Sequence, residues 1–266
     1  MVASSPARRS TSTAAPTITD DYLIIFVALG AAVGGFVQGL SGFAFGLTAM
    51  AIWAWSIEPV PAGPLVAFGT LFGQLLSIGT VRRGLDAGLI WPFVAGGILG
   101  VPLGVALLPH LDPLMFKLGV GVLLLLWCPA MLVSREIPRI TGGGRLADGL
   151  VGWIGGIMCG IAGLNGPAPT LWTTLRGWER DRQRAVFQTF SLVTQALTIT
   201  AYLATGIIRA GSAWLFAVVV PAMLAPTLIG ARLYRSFTDT GFRRVVLGLL
   251  GLSGAILVAT SVPALL

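Results

Sequence analysis

Charged residues in this chain are so scarce and so unevenly placed that they leave eight charge-free stretches, 22–57, 59–81, 87–111, 118–134, 149–175, 185–208, 210–231 and 245–266. A helix that crosses a bilayer needs ~20 mostly apolar residues. Seven stretches therefore suit one helix apiece, the fourth borrowing from its flanks, and the first is too long for one. A chain of 266 residues that is 55% hydrophobic and 10% charged is not a water-soluble domain. Strong apolar–polar alternation at period two is absent, which excludes an outer-membrane barrel and leaves an all-α integral membrane bundle.

The remaining composition removes other classes. One histidine, His110, and two separated cysteines, Cys128 and Cys159, give neither a metal centre nor a disulfide framework. Both cysteines read as small buried hydrophobes, His110 reads as a loop residue, and neither a cofactor nor a metal is expected. The net charge of +7 comes from arginines in short loops between apolar spans, a topological pattern rather than a nucleic-acid face. Residues 1–20, rich in Ser, Thr, Ala and Pro, read as a disordered tail. Arg8 and Arg9 stand too far from the first apolar run for a twin-arginine signal, and that run is expected to be retained because a repeat needs it.

Sliding the sequence by 121 positions aligns Gly34, Gly35, Gly39 and Gly42 with Gly155, Gly156, Gly160 and Gly163. The same offset pairs Glu58 with Glu179, Thr70 with Ser191, Gln74 with Gln195 and Ser77 with Thr198. After a five-residue insertion, Gly104, Phe116 and Lys117 pair with Gly230, Phe242 and Arg243. Two four-segment repeats are therefore expected, 21–134 and 149–266, joined by a linker at 135–148.

Positive charge bears on their orientation. With eight crossings and the N-terminus inside, Lys and Arg divide eight inside to nine outside, which is no bias. If segments one and five dip in and return, one face collects Arg82, Arg83, Arg135, Arg139, Arg145, Arg176, Arg180, Arg182, Arg184, Arg232, Arg235, Arg243 and Arg244, thirteen against four. Three crossings per half make the repeats inverted and place both termini outside. A rival in which only segment five dips scores fifteen to two but breaks the repeat symmetry.

Segments one and five also carry the least helix-like sequence, Gly34 to Gly46 and Gly155 to Pro169, where Pro167 and Pro169 interrupt any regular helix. Broken or re-entrant helices are expected there, buried in protein or lining a polar cavity. A half-helix that starts inside the membrane aims unpaired N–H groups and its positive dipole end into that cavity, and so holds an anion without a buried lysine. Gln38, Ser41, Gln74, Asn165 and Gln195 are the donors near the breaks, with Gly42 and Gly163 supplying backbone. Competing readings stay open: the glycines let helices approach closely, the glutamines tie helices together, Asn165 caps a half-helix, and the Arg176–Arg184 cluster is a solvated loop. Trp53, Trp55, Trp91, Trp172 and Trp178 lie near span ends and read as interfacial anchors.

The Gly35-x-x-x-Gly39-x-x-Gly42 and Gly156-x-x-x-Gly160-x-x-Gly163 motifs, their duplication, and Arg82-Arg83-Gly84-Leu85-Asp86 after the second segment resemble the TauE/SafE sulfite exporter family over residues 22–262. The resemblance implies a bacterial inner-membrane carrier of small sulfur-containing anions. Where the family commonly follows its motif with consecutive glycines, this chain reads Phe43-Ala44-Phe45-Gly46 and Leu164-Asn165-Gly166-Pro167. The expectation is a secondary transporter of sulfite or organosulfonates, alternating access around a central site at the repeat interface. Its partners would be the anion and the lipid bilayer, no nucleic acid, and a homodimer is compatible. An anion channel is the alternative; a membrane-embedded enzyme or assembly factor is another class, which lacks a converging nucleophile, base or metal ligands.

Overall fold

A computed structural model describes residues 18–41, 44–77, 86–133, 139–140, 142–208, 213–233 and 239–265. Every regular element among them is helical: α1 (Ile18–Ser41), α2 (Phe45–Trp53), α3 (Pro59–Ser77), α4 (Ala87–Leu107), a 3-10 turn at Leu108–His110, α5 (Pro113–Val133), α6 (Gly144–Ala162), α7 (Pro167–Leu175), α8 (Arg180–Ala204), α9 (Ala213–Leu233) and α10 (Asp239–Leu265). Eight of these helices are long and apolar enough to cross a membrane. The other two, α2 and α7, have nine residues each, about 13 Å of helix, which reaches less than halfway across a hydrocarbon core.

The order long, short, long, long, long thus occurs twice. The 121-residue offset carries the end of α1 at Ser41 onto the end of α6 at Ala162 and the start of α3 onto the start of α8. Beyond the insertion, α4 at Ala87–Leu107 maps onto α9 at Ala213–Leu233 without a shift at either end. Segments one and five are each broken, and into unequal pieces, since α1 and α6 offer candidate spans of 20 and 19 residues. Each is a long helix followed by a half-length one that turns back.

The turns have local causes. At the end of α6, Gly163 adopts a left-handed φ of 68° that favours glycine. Its N–H donates to Cys159 O at 2.7 Å and that of Leu164 to Met158 O at 3.3 Å, which closes the helix. Pro167 then opens α7, where a missing N–H costs nothing. At the end of α1, the Ser41 hydroxyl donates to Val37 O and accepts from Ala44 N, and Gln38 Oε1 accepts from Phe45 N at 3.1 Å.

Each short helix folds back along its long partner. Phe45 packs on Gly34, while Trp53 covers Gly30 and donates to Phe26 O at 3.1 Å. In the second hairpin Pro169 lies by Gly155, and Trp172 Nε1 donates to Asp148 Oδ1 at 2.7 Å. Trp53 is completely buried, so it is a core residue and not the interfacial anchor expected from its position near a span end. Trp55 and Trp91 are exposed. Trp172 and Trp178 flank the Arg176 guanidinium.

Side-chain contacts fix the helix directions. Gly69 meets Phe45 and Gly73 meets Gln38, so α3 runs parallel to α1. Gly63 meets Tyr202 while Gln188 donates to Gln74 O, so α8 runs antiparallel to α3. Glycines let α1 press on α9 and α6 on α4, and the contacts are reciprocal: Gly104 faces Ile157 O as Gly230 faces Phe36 O, and Gly160 faces Val101 O as Gly39 faces Thr227 O. A Cβ on Gly156 would stand 2.5 Å from Gly97 O, and one on Gly35 would stand 2.7 Å from Met223 O. The two offsets of the sequence, 121 and 126, relate the members of every such pair. Helices α5 and α10 complete the bundle as an antiparallel pair, with Gly121 against Leu257 and Gly254 against Leu124.

These directions gather Arg145, Arg176, Arg184, Arg232 and Arg244 at helix ends on one side of the bundle. Lys117, whose Nζ donates to Trp55 O, sits on the other. Arg82, Arg83, Arg135 and Arg235, which the charge count also used, lie outside the described residues, as do Gly84 and Leu85 of the basic turn and most of the 1–20 tail.

Candidate functional site

The two helix breaks meet. A Cβ on Gly46, in the first turn of α2, would touch Val66 and Leu164 at 3.1 and 3.2 Å and the Thr70 hydroxyl at 3.3 Å, so the start of α2 abuts the α6–α7 turn with α3 alongside. Around this junction lie buried side chains that carry no formal charge: Gln38, Thr70 and Gln74 from α1 and α3, and Asn165, Gln188, Ser191, Thr194, Gln195 and Thr198 from the second break and α8. Burying that many amides and hydroxyls is costly unless they are paired, and much of the set is paired within itself.

The second break is densely bonded. Gln195 Nε2 donates to Gly163 O at 2.7 Å, the carbonyl that the helix end leaves over. Asn165 Nδ2 donates to both Ser191 Oγ and Thr194 Oγ1, at 2.9 and 3.0 Å. The Cys159 thiol lies 3.4 Å from Gln195 Oε1, to which it donates, and 3.2 Å from Thr198 Oγ1, and Tyr202 donates to Gly160 O. Trp127 of α5 donates to Pro167 O and fixes the start of α7. Asn165 and Gln195 therefore hold the break open in a defined shape, as a cap and as a tie to α8.

The first break is built differently. Gln38 caps α2 through the Phe45 N–H, and its Nε2 faces Gly73. Gln188 reaches across from α8 to the backbone of Gln74. Gln74 and Gln195 do not face each other: Gln188 marks the level of Gln74, and Gln195 lies seven residues further along α8, about 10 Å at 1.5 Å per residue. Each glutamine serves the level of its own break, and the two bracket the junction. Ser41 is exposed with its hydroxyl engaged on its own helix end, and Gly42 lies outside the described residues.

Several residues of this centre were not expected as site residues. Thr70 and Ser191 stood in the repeat pairing, whose offset was the available signal; Gln188 and Thr194 gave no signal of their own because nothing in the sequence tells which face of α8 is inward. Away from the centre, Asp148 is buried near the start of α6 and pairs with Arg176 at 2.8 Å. Arg176, expected in a solvated loop, instead lies over the rings of Trp172 and Trp178 at 5.9 and 5.2 Å. Among the described residues no cluster of three or more His, Cys, Asp or Glu side chains could hold a metal ion.

Among the described residues, eight helices long and apolar enough to span a membrane, with paired helix breaks around a polar centre that carries no formal charge, describe a multi-pass helical membrane protein. The family described as "Sulfite exporter TauE/SafE" matches residues 26–257, and the chain belongs to it. No curated protein matches the chain closely enough to be informative. No solved structure does either.

Proposed function

We propose that this protein is a secondary carrier of small anions, sulfite or an organosulfonate, in the bacterial inner membrane, working by alternating access between two inverted halves, 21–134 and 149–266. The observation that carries the reading is the junction itself: two helix breaks, one from each half, abut where amides and hydroxyls are buried. The start of α2 brings its positive dipole end there. A negative charge is then met by dipoles and uncharged donors, which bind without the deep well that a buried cation would create. Inversion is supported by the antiparallel course of the offset partners α3 and α8 and by the reciprocal glycine contacts. The gathering of arginines at one end of the bundle supports a cytoplasmic assignment for that end.

Proton relays in membranes are usually built from buried Asp, Glu or His. The junction offers none among the described residues, so the mechanism is uniport, anion exchange, or movement of a proton carried on the substrate. Gln74 and Gln38, at the first break, face the oxyanion, while Gln195 and Asn165, which tie and cap the second break, hold the opposite wall in place. Uptake of radiolabelled sulfite and a short sulfonate into proteoliposomes tests this: saturable flux that is lost in the Gln74→Ala, Gln195→Ala double variant is the expected result. Flux retained in the variant moves the site elsewhere, and no flux of either anion through folded protein removes the substrate assignment.

A further inference from the structure

We infer that the anion's head is held at the first break alone, by the Thr70 hydroxyl and the Gln38 amide beside the start of α2, and that this pair fits a singly charged oxyanion. The inference rests on the carrier reading above and names the part of the centre that meets the substrate.

The offset between the halves supplies the comparison. Gln38 corresponds to Cys159, and Thr70 to Ser191. In the second half both counterparts are engaged within their own half: the Cys159 thiol donates to Gln195, and Ser191 accepts from Asn165. In the first half Gln38 spends its oxygen on the Phe45 N–H, and its Nε2 has no hydrogen-bond partner among the described residues; the Thr70 hydroxyl has none either. Gln38 is 0% and Thr70 4% exposed. An unpaired donor at that depth costs ~1–3 kcal/mol. Two of them at one helix start are explained when a ligand's oxygens complete them.

Their surroundings favour a close approach. Gly73 faces Gln38 Nε2 and Gly46 faces Thr70 Oγ1, so bare backbone flanks both donors. The nine-residue α2 begins there, with its dipole adding to the attraction. The same surroundings limit the charge. The groups that these contacts place beside the two donors, Phe45, Val66, Leu164 and glycine backbone, are all uncharged, and against such neighbours a second negative charge is desolvated without compensation. A sulfonate, or sulfite carrying one proton, satisfies the pair; a dianion does not.

Full-length protein in proteoliposomes, assayed with radiolabelled methanesulfonate and sulfite, tests this. Thr70→Val should raise the KM for uptake about ten- to a hundred-fold, the loss of one hydrogen bond to an anion, with an unchanged or higher melting temperature because the removed hydroxyl had no protein partner. Thr70→Ser should restore the KM. Gln38→Glu keeps the cap on Phe45 but replaces the donor with a negative charge, and should abolish uptake. Sulfate in excess should not compete. A wild-type KM in Thr70→Val, or competition by sulfate equal to that of unlabelled methanesulfonate, overturns the inference while leaving the carrier intact. Loss of folded protein in Thr70→Val assigns Thr70 to packing and overturns it as well. Absence of uptake in the wild type brings down both this inference and the carrier reading.

Discussion

The two hairpins, α1–α2 and α6–α7, occupy corresponding places in the chain and are held shut by different physics. The first is closed by an aromatic side chain: Trp53 lies in a notch over Gly30, donates to Phe26 O, and meets Phe45 edge to face at 6.1 Å. At the corresponding positions the second carries Val151 and Thr174, and its closure has moved to the Asp148 carboxylate, which binds Trp172 Nε1 and Arg176 together. The breaks differ in the same sense. In the second, the counterparts Cys159 and Ser191 are engaged with Gln195 and Asn165, whereas in the first Gln38 Nε2 and the Thr70 hydroxyl have no hydrogen-bond partner among the described residues. A common backbone plan thus tolerates an apolar closure with an open polar tip in one half and a polar closure with a more fully bonded tip in the other. Under the proposed carrier reading, that division lets one hairpin meet substrate while the other serves as a scaffold.

What the hairpins share should break hardest. Gly39 and Gly160 stand at corresponding positions, each against a backbone carbonyl of the helix beside it, Thr227 O and Val101 O. A carbonyl cannot swing aside as a side chain can, so Gly39→Val and Gly160→Val should each cost ~3 kcal/mol or more through overpacking. Both should leave little monodisperse protein on size exclusion in detergent. If one variant folds normally and the other does not, the reciprocal seams are not equivalent and the symmetric account of the bundle fails.

The seams also mark how far the sequence could be read. The eight apolar stretches, the two breaks and the offset were legible because hydrophobic length, proline and spaced glycines act locally and leave their mark in order along the chain. That Gly35 and Gly39 press on α9, and Gly156 and Gly160 on α4, was not legible, since a glycine records that something comes close without recording what. The donors near the breaks were found for a related reason: Gln38, Asn165 and Gln195 are polar within apolar runs. Their division into caps, ties and open donors depends on where α8 lies. Asp148 and Arg176, 28 residues apart and each beside a charge-free run, looked like ordinary loop charges until the hairpin brought them together.

Next in size is the lock that only the second hairpin has. Removing one partner of a buried ion pair leaves the other charge without compensation, at 3–5 kcal/mol when both are fully buried. The Arg176 side chain keeps 18% of its exposure against 5% for Asp148, so Asp148→Leu should cost less, ~2 kcal/mol, read as a lower melting temperature. Adding Arg176→Met should recover most of the loss, because the cost lies in the stranded charge rather than in the missing bond. A double variant no more stable than the single one would show that the carboxylate acts mainly through Trp172 and would weaken the contrast between the hairpins.

Trp53→Phe is the gentlest test and the most informative about the first hairpin. It deletes the indole N–H that reaches Phe26 O and leaves a smaller ring over Gly30. The lost hydrogen bond is worth ~0.5–1.5 kcal/mol, and the edge contact with Phe45 survives in part, so the melting temperature should fall only slightly. The notch makes a sharper prediction in company with Gly30→Ala. In the wild type a methyl group at position 30 runs into the indole, so Gly30→Ala alone should destabilise; with phenylalanine at 53 that methyl enters space the indole has vacated, and the double variant should be more stable than Gly30→Ala alone. Simple additivity of the two changes would mean that Trp53 does not close the hairpin through the notch, and the closure would then have to be sought in the packing of Phe45 against Gly34 and Gly69, nearer the polar tip.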